Sequence, residues 1–215
     1  AEMGFVVGVG SPMGSQIAPD EFADHCFGAV ILNDWSARDI QAWEYVPLGP
    51  NLGKSFATSI SPWVVPLAAL EAARIDTPVQ DPQPLPYLTG NEKWGLDIDL
   101  AVEWNGHIVS RPPYAQMYWS PAQMLAHTSV NGAATRTGDL FGSGTVSGPE
   151  TSQRGAFIEL TWAGAEPVRI GDETRTFLED GDEIAISATA PGPNGTRIGF
   201  GEVRTRILPA TGAVN

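Results

Sequence analysis

Apolar and polar residues alternate most regularly between positions 96 and 104, a pattern typical of a half-buried strand. The apolar row consists of Leu96, Ile98, Leu100, Val102 and Trp104, and the polar row contains Asp97, Asp99 and Glu103. Asn105-Gly106 follows as a predicted hairpin turn, and His107 begins the returning strand. Because the acids recur at a spacing of two, we expect them on the solvent face of an antiparallel ribbon and not in a metal cluster.

Shorter apolar runs predict further strands. Residues 3–9 and 29–32 are continuous apolar segments, which favours buried strands. In the second half of the chain, Gly, Asp, Pro and Asn turns separate predicted strands at 140–146, 156–162, 168–170, 175–178, 183–190 and 197–207. We therefore expect one domain over residues 1–215, mainly β with a few short helices (α+β).

Three of the predicted helices contain no candidate site residue. Residues 19–27 begin with Pro and acids, and residues 67–73 are rich in alanine. Ser120 and Gln123 form a capping-box pattern with Pro at the first helical position, which predicts a helix to about His127.

A fourth helix is predicted inside the most unusual stretch of the chain, residues 33–63. Ser36 is the expected N-cap, with Asp39 three residues further on, and the helix should end near Glu44 before a Pro/Gly loop. Within it, Ile40 and Trp43 are interpreted as core residues.

This stretch also gathers polar groups suited to chemistry. Arg38, Gln41 and Tyr45 recur at i, i+3 and i+7, which places them on one helix face. Asp34 precedes the helix and Lys54 follows the loop. The pattern predicts an anion-binding wall beside a possible metal ligand. The alternative is an ordinary Asp34–Arg38 surface pair with a solvated helix face.

Composition narrows the possible functions. The net charge is −13 and the isoelectric point is near 4.4, which disfavours nucleic acid and anionic membranes as partners. No apolar run approaches the length of a membrane span, and no secretory signal is recognised. The single cysteine, Cys26, excludes an internal disulfide and fits a reducing, cytoplasmic compartment.

Common catalytic motifs are absent from the sequence. It contains no G-x-S-x-G elbow, no Walker or Rossmann glycine pattern, and no C-x-x-C or H-E-x-x-H motif for zinc. Oxygen ligation remains, and Glu2 and Asp34 are the candidates for a hard cation such as Mg²⁺, Mn²⁺ or Ca²⁺.

Several sequence blocks resemble the fumarylacetoacetate hydrolase superfamily, and in particular its fumarylacetoacetase branch. The blocks are NDWSARDIQAWEYVPLGPNLGKSF at 33–56, HTSVNG at 127–132, GDLFGSGTVSGPE at 138–150, FLEDGDEI at 177–184 and RIGFGE at 197–202. The resemblance extends over essentially the whole chain. It implies a mixed β-roll catalytic domain that hydrolyses a carbon–carbon bond of 4-fumarylacetoacetate to fumarate and acetoacetate, in tyrosine and phenylalanine breakdown.

The resemblance also assigns roles to individual residues. It implies that Glu2, Asp34, Lys54 and Thr58 bind Mg²⁺ or Ca²⁺, Lys54 through its main-chain oxygen. It implies catalytic roles for Arg38, Gln41, Lys54 and Glu159, and substrate contacts for Gln41, Tyr45 and Thr145. Glu159 would orient a catalytic histidine; in its predicted strand it could instead face solvent, and Thr58 could instead be a simple cap.

The family pattern is incomplete in this chain. The first Glu of the family's E-x-E pair, a further metal-binding Asp and the catalytic His would all precede Ala1, so we expect an upstream segment to be lacking. His25, His107 and His127 are expected to be structural. The family further implies a homodimer.

Two alternatives stay open at this stage. The chain could act on an acylpyruvate-type diketo acid, although the aromatic segment WEYVPLGP argues against this. It could also be a non-catalytic metal-binding fragment without the catalytic His.

Overall fold

The computed structural model describes residues 1–212, and its sheets are antiparallel throughout. The thirteen strands of this part of the chain are β1 (Glu2–Val7), β2 (Cys26–Asp34), β3 (Thr58–Ile60), β4 (Val65–Pro66), β5 (Arg74–Ile75), β6 (Gly95–Leu96), β7 (Asp99–Trp104), β8 (His107–Ser110), β9 (Leu140–Gly142), β10 (Val168–Ile170), β11 (Glu173–Arg175), β12 (Glu183–Pro191) and β13 (Arg197–Arg206).

Two sheets enclose the core. One has the order β3-β2-β1-β9, with β4 also paired to β2, and the other has the order β13-β12-β7-β8. The central strand β2 packs against β12 and β13, which brings the two sheets face to face. Small ribbons, β5-β6 and β10-β11, complete a curled, mainly β architecture, so the predicted fold class is confirmed.

The alternation at 96–104 is confirmed in detail. Its apolar row is buried: Leu96, Ile98, Leu100, Val102 and Trp104. On the opposite face, Asp99 pairs with Arg197 and Glu103 approaches Arg204. The acids therefore serve the solvated face of the sheet, as expected.

The helices are short, and two predictions about them need correction. The α-helices are α1 (Phe22–His25), α2 (Arg38–Glu44), α3 (Pro121–Ser129) and α4 (Phe157–Leu160). The 19–27 segment is a 3-10 turn followed by α1, because Cys26 already belongs to β2. Ser36 does not cap α2: Ala37 is the N-cap, and the Ser36 hydroxyl donates to the Asp34 carbonyl. The capping box at Ser120 is confirmed.

Three predicted strands also need correction. The strand predicted at 175–178 lies earlier in the chain, as β11 (Glu173–Arg175). Residues 156–162 contain α4 instead, because the Glu159 carboxylate accepts a hydrogen bond from the backbone of Ala156 and closes a helical turn. The strand predicted at 140–146 is regular only to Gly142, because Gly144 takes a positive φ; beyond it the Val146 N–H still donates to the Ala1 carbonyl at 3.0 Å.

The interpretation of Ile40 and Trp43 as core residues is wrong as well. Ile40 is 43% exposed and Trp43 is 89% exposed, because α2 lies on the outside of the sheets and no element within residues 1–212 covers this face. Among the described residues, no helix has the length and apolar content needed to cross a membrane.

Candidate active site

The pairing of three strands brings together three of the candidate oxygen ligands. In the β1–β2 register Glu2 lies opposite Leu32, and in the β2–β3 register Asp34 lies opposite Thr58. Side chains two residues apart on a strand share a face. Glu2, Asp34 and Thr58 therefore project from the same face of the sheet, at the end where β2 leads into α2.

A cavity of about 830 Å³ opens beside these residues. Five of the predicted site residues line it: Glu2, Asp34, Arg38, Lys54 and Thr145. Its other wall is apolar and comes from α4 and the second sheet, with Phe157, Ile184 and Ile186 among the lining residues. The cavity is large enough for a small metabolite, and the part lined by Asp34, Arg38 and Lys54 is called its polar end.

Two hydrogen bonds fix the polar end of the cavity. The Lys54 ammonium donates to Asp34 Oδ2 at 2.7 Å, and both side chains are about one-third exposed or less. The Arg38 guanidinium donates to Gln41 Oε1 at 2.8 Å. Helix α2 thus holds Arg38 over the cavity, and the loop after α2 returns Lys54 to the end of β2.

Glu2 is the electrostatically unusual member of this group. Burial raises its pKa above the usual value of 4.5, and the nearby charge of Asp34 raises it further. Its Oε2 lies close to Gly142: a Cβ atom added at Gly142 would be 2.9 Å from this oxygen. Two neighbouring carboxylates that repel each other are a favourable environment for a cation.

Glu159 does not line the cavity itself, and one of its carboxylate oxygens is hydrogen-bonded. Its Oε2 accepts hydrogen bonds from the Ser147 hydroxyl at 2.8 Å and from the Ala156 N–H at 3.0 Å. The Ser147 hydroxyl also accepts from the Gly155 N–H at 3.0 Å. The carboxylate therefore faces protein groups, so the alternative of a solvent-facing Glu159 does not hold.

Not every predicted residue reaches the cavity. Gln41 contributes through Arg38, whereas Tyr45 is 54% exposed just past the end of α2 and does not line the cavity. Thr58 is exposed on β3 beside Asp34. The helix residues that line the cavity are Arg38, Asp39 and Ala42, so the functional face of α2 is narrower than the sequence spacing predicts.

Sequence reasoning missed Arg154. This residue lines the cavity from the loop before α4, and its guanidinium donates to the Glu159 carbonyl at 3.0 Å. The only signal in the sequence is a single arginine in a Pro/Gly-bounded loop, which is too common to mark a site.

The histidines lie elsewhere in the described fold. His25 contacts the Val9 carbonyl through Nδ1 at 2.7 Å, and His127 contacts the Tyr87 hydroxyl at 2.9 Å. His107 is exposed on β8. None of the three lines the cavity, which agrees with their structural interpretation.

The donor set fits a hard divalent cation in part. Carboxylate and hydroxyl oxygens are the ligands that Mg²⁺ and Ca²⁺ take in proteins. Within residues 1–212, however, no group of three His, Cys, Asp or Glu side chains is arranged to hold a metal. Glu2 and Asp34 place two carboxylates beside each other, which are fewer ligands than a complete hard-cation site requires.

Comparison with known structures identifies the class of fold first. A yeast fumarylacetoacetate hydrolase family protein superimposes with a TM-score of 0.62 at 14% identity, and the match covers 99% of this chain and 69% of that one. At this identity the likeness defines the fold alone, which is that of a fumarylacetoacetate hydrolase family protein.

Sequence comparison then gives the family. The family described as fumarylacetoacetate hydrolase C-terminal matches residues 1–208, and the chain belongs to this family. A fumarylacetoacetase of Caenorhabditis elegans is 50% identical over 96% of this chain and 50% of its own length. The human fumarylacetoacetase is 49% identical over 97% of this chain and 51% of its own. The chain thus spans about half the length of the curated relatives it matches.

Proposed function

We propose that this domain forms the catalytic site of a fumarylacetoacetase, which hydrolyses the carbon–carbon bond of 4-fumarylacetoacetate to give fumarate and acetoacetate. One observation carries the proposal: Asp34, Lys54 and Arg38 line one cavity, in a chain about 50% identical to fumarylacetoacetases. The proposed localisation is cytoplasmic, in keeping with the single reduced cysteine.

The basic residues suit the charge that this reaction develops. Breaking the carbon–carbon bond expels a carbanion, which must be held as an enolate by donors already in position. Arg38, oriented by Gln41, and Lys54 are the cationic donors at the polar end of the cavity. We assign them to the enolate oxygen, and we assign Thr145 and Tyr45 to substrate contacts.

Glu2 and Asp34 are proposed as ligands of Mg²⁺ or Ca²⁺, with Mn²⁺ as a possible substitute, and with Thr58 and the Lys54 main-chain oxygen at a neighbouring position. A bound divalent cation would polarise the diketone oxygens. We assign the water-activating histidine to protein outside these 215 residues and its orientation to Glu159, whose carboxylate already lies against the cavity wall.

The test compares turnover with and without metal. Hydrolysis of fumarylacetoacetate is followed for the 215-residue chain and for the longest polypeptide in which it naturally occurs, with Mg²⁺ or Ca²⁺ and then with a chelator. We expect chelator-sensitive turnover in the longer polypeptide and none in the chain alone. Metal-independent turnover, or a preference for a simple acylpyruvate, would contradict the proposal.

A homodimer is also proposed. The loop after α2 leaves several large apolar side chains exposed, namely Val46, Leu48, Leu52 and Phe56, in addition to Trp43 on the helix. Contiguous exposed apolar groups are typical of interaction surfaces. Light scattering should give twice the chain mass for the wild type and the single chain mass for Trp43→Glu.

A further inference from the structure

Arg154 has the properties of a ligand-binding residue, and the proposed function gives it no role. It lines the cavity, and no carboxylate within residues 1–212 forms an ion pair with it. Lys54, by contrast, is already paired with Asp34 in the same cavity. The half-buried guanidinium of Arg154 therefore has hydrogen-bonding capacity left for an anion.

Two contacts hold the guanidinium in place. Its Nη1 donates to the Glu159 carbonyl at 3.0 Å, and its Cζ lies 5.2 Å from the centre of the Trp162 ring. Both contacts leave N–H groups of the planar fork unused. An arginine fixed in this way loses little further entropy when it binds a carboxylate.

The Trp162 ring is presented by a strained turn. Trp162 and Ala163 both have left-handed backbone angles, with φ of 49° and 56°, and Gly164 follows at 89°. The buried Thr161 secures the turn: its hydroxyl donates to the Phe157 carbonyl at 3.0 Å and accepts from the Gly164 N–H at 3.1 Å. Non-glycine residues in this conformation are costly and concentrate at ligand sites.

The cavity therefore offers two separate sources of positive charge. One is the Arg38 and Lys54 group beside Asp34, and the other is Arg154 in the loop that precedes α4. Apolar lining residues such as Phe157 and Ile184 also belong to the cavity. A ligand with two carboxylates joined by an apolar carbon chain could use Arg154 as well as Arg38 and Lys54, whereas a monocarboxylate would leave one of the two sources unused.

We propose that Arg154 binds one carboxylate of a dicarboxylic ligand and so selects dicarboxylic over monocarboxylic diketo acids. This inference deepens the proposed function and rests on it for the nature of the natural substrate. Arginine is suited to the role because its fork binds a carboxylate through two parallel hydrogen bonds.

Fumarate and crotonate provide the test, because they share a trans carbon chain and differ by one carboxylate. Their dissociation constants are measured by calorimetry with the wild type, Arg154→Gln and Arg154→Lys. Arg169→Gln is the matched control, because it removes one positive charge at an exposed position outside the cavity. We expect Arg154→Gln to weaken fumarate binding about tenfold or more, to leave crotonate binding unchanged, and Arg154→Lys to be intermediate.

The binding test does not depend on turnover, so the two proposals can fail separately. Equal weakening of both ligands, no weakening, or no fumarate binding by the wild type would overturn the role of Arg154. Selective weakening in a protein that hydrolyses no diketo acid would instead support Arg154 and contradict the proposed function. Unchanged thermal unfolding of Arg154→Gln would confirm that the variant is folded.

Discussion

Two carboxylates of this chain are at least partly buried, and their surroundings are opposite in character. At the turn before β12, the Asp182 side chain is 2% exposed and accepts hydrogen bonds from the Glu179 N–H, Arg175 and Asn105. In the cavity, Glu2 is partly buried beside a second carboxylate, Asp34. The first carboxylate is surrounded by donors, and the second lies next to like charge.

The pKa values record this difference. Burial alone would raise the pKa of Asp182, but its hydrogen bonds outweigh burial and hold the pKa below the usual value of 3.8. For Glu2, burial and the charge of Asp34 act in the same direction and raise the pKa. The donors around Asp182 outweigh its burial, whereas the N-terminal ammonium, Lys54 and the Gly144 N–H do not outweigh the burial of Glu2 and the charge of Asp34.

Loss of Asp34 should have the largest effect on function and a small one on folding. We expect Asp34→Ala to lower metal-dependent turnover by more than about 10³-fold, because it removes a proposed metal ligand and the partner of Lys54. The free energy of unfolding should change by less than about 1 kcal/mol, since the pair is partly exposed. Turnover assays and urea unfolding check this prediction, with Asp24→Ala, at an exposed position, as the control. Normal activity of Asp34→Ala would contradict the assignment of the site.

Loss of Asp182 should have the reverse effect. Asp182→Ala leaves Arg175, Asn105 and a backbone N–H without their acceptor, and we expect about 3 kcal/mol less stability with turnover per folded molecule retained. Asp180→Ala, at an exposed position on the same turn, is the control. A loss of stability no larger than that of the control would contradict the structural role.

The same pair of proteins gives a pH test with a defined sign. Because the folded-state pKa of Asp182 is lowered, its contribution to stability is present above pH 3.8 and is lost as the pH falls through the folded-state value. The difference in unfolding free energy between wild type and Asp182→Ala should therefore be greatest near neutral pH and shrink in acid. A difference that stays constant into acid would exclude the ionised carboxylate as its source.

The smallest effect is expected at Glu2. Its raised pKa means that the ionised form opposes folding, so the metal-free wild type should gain stability as the pH falls through the folded-state pKa toward the usual value of 4.5. Glu2→Gln should remove this pH dependence and stabilise the metal-free chain by about 1 kcal/mol or less at pH 7. Thermal unfolding of both proteins in chelator checks this prediction. Added Mg²⁺ or Ca²⁺ should then stabilise the wild type only. A lower melting temperature for Glu2→Gln than for the wild type in chelator would contradict the interpretation.

The sequence predicted the sheets better than the short helices, for physical reasons. Alternation at 96–104 and the apolar run at 29–32 report burial directly, and both became strands. Residues 157–160 have an equally apolar pattern, yet they form α4. The Glu159 carboxylate closes this helical turn through the Ala156 N–H and also accepts from Ser147, twelve residues away, and apolar periodicity reports neither contact.

The candidate site was predicted unevenly in the same way. Asp34 and Lys54 belong to one continuous block, and the structure brings them into contact. Ile40 and Trp43 have core-like spacing but lie on an outer helix, because periodicity identifies an apolar face without identifying what covers it. Arg154 could be recognised only once folding had placed its loop against the cavity.

The register between β1 and β2 has a consequence for how this site can evolve. Glu2 faces the cavity while its neighbour Met3 is fully buried in the core. A single-residue insertion or deletion within β1 would exchange the two faces, exposing core groups and withdrawing the carboxylate together. Insertions and deletions in β1 would therefore prevent folding before any change in activity could be selected. The spacing of the site residues is thus fixed by the same register that fixes the core.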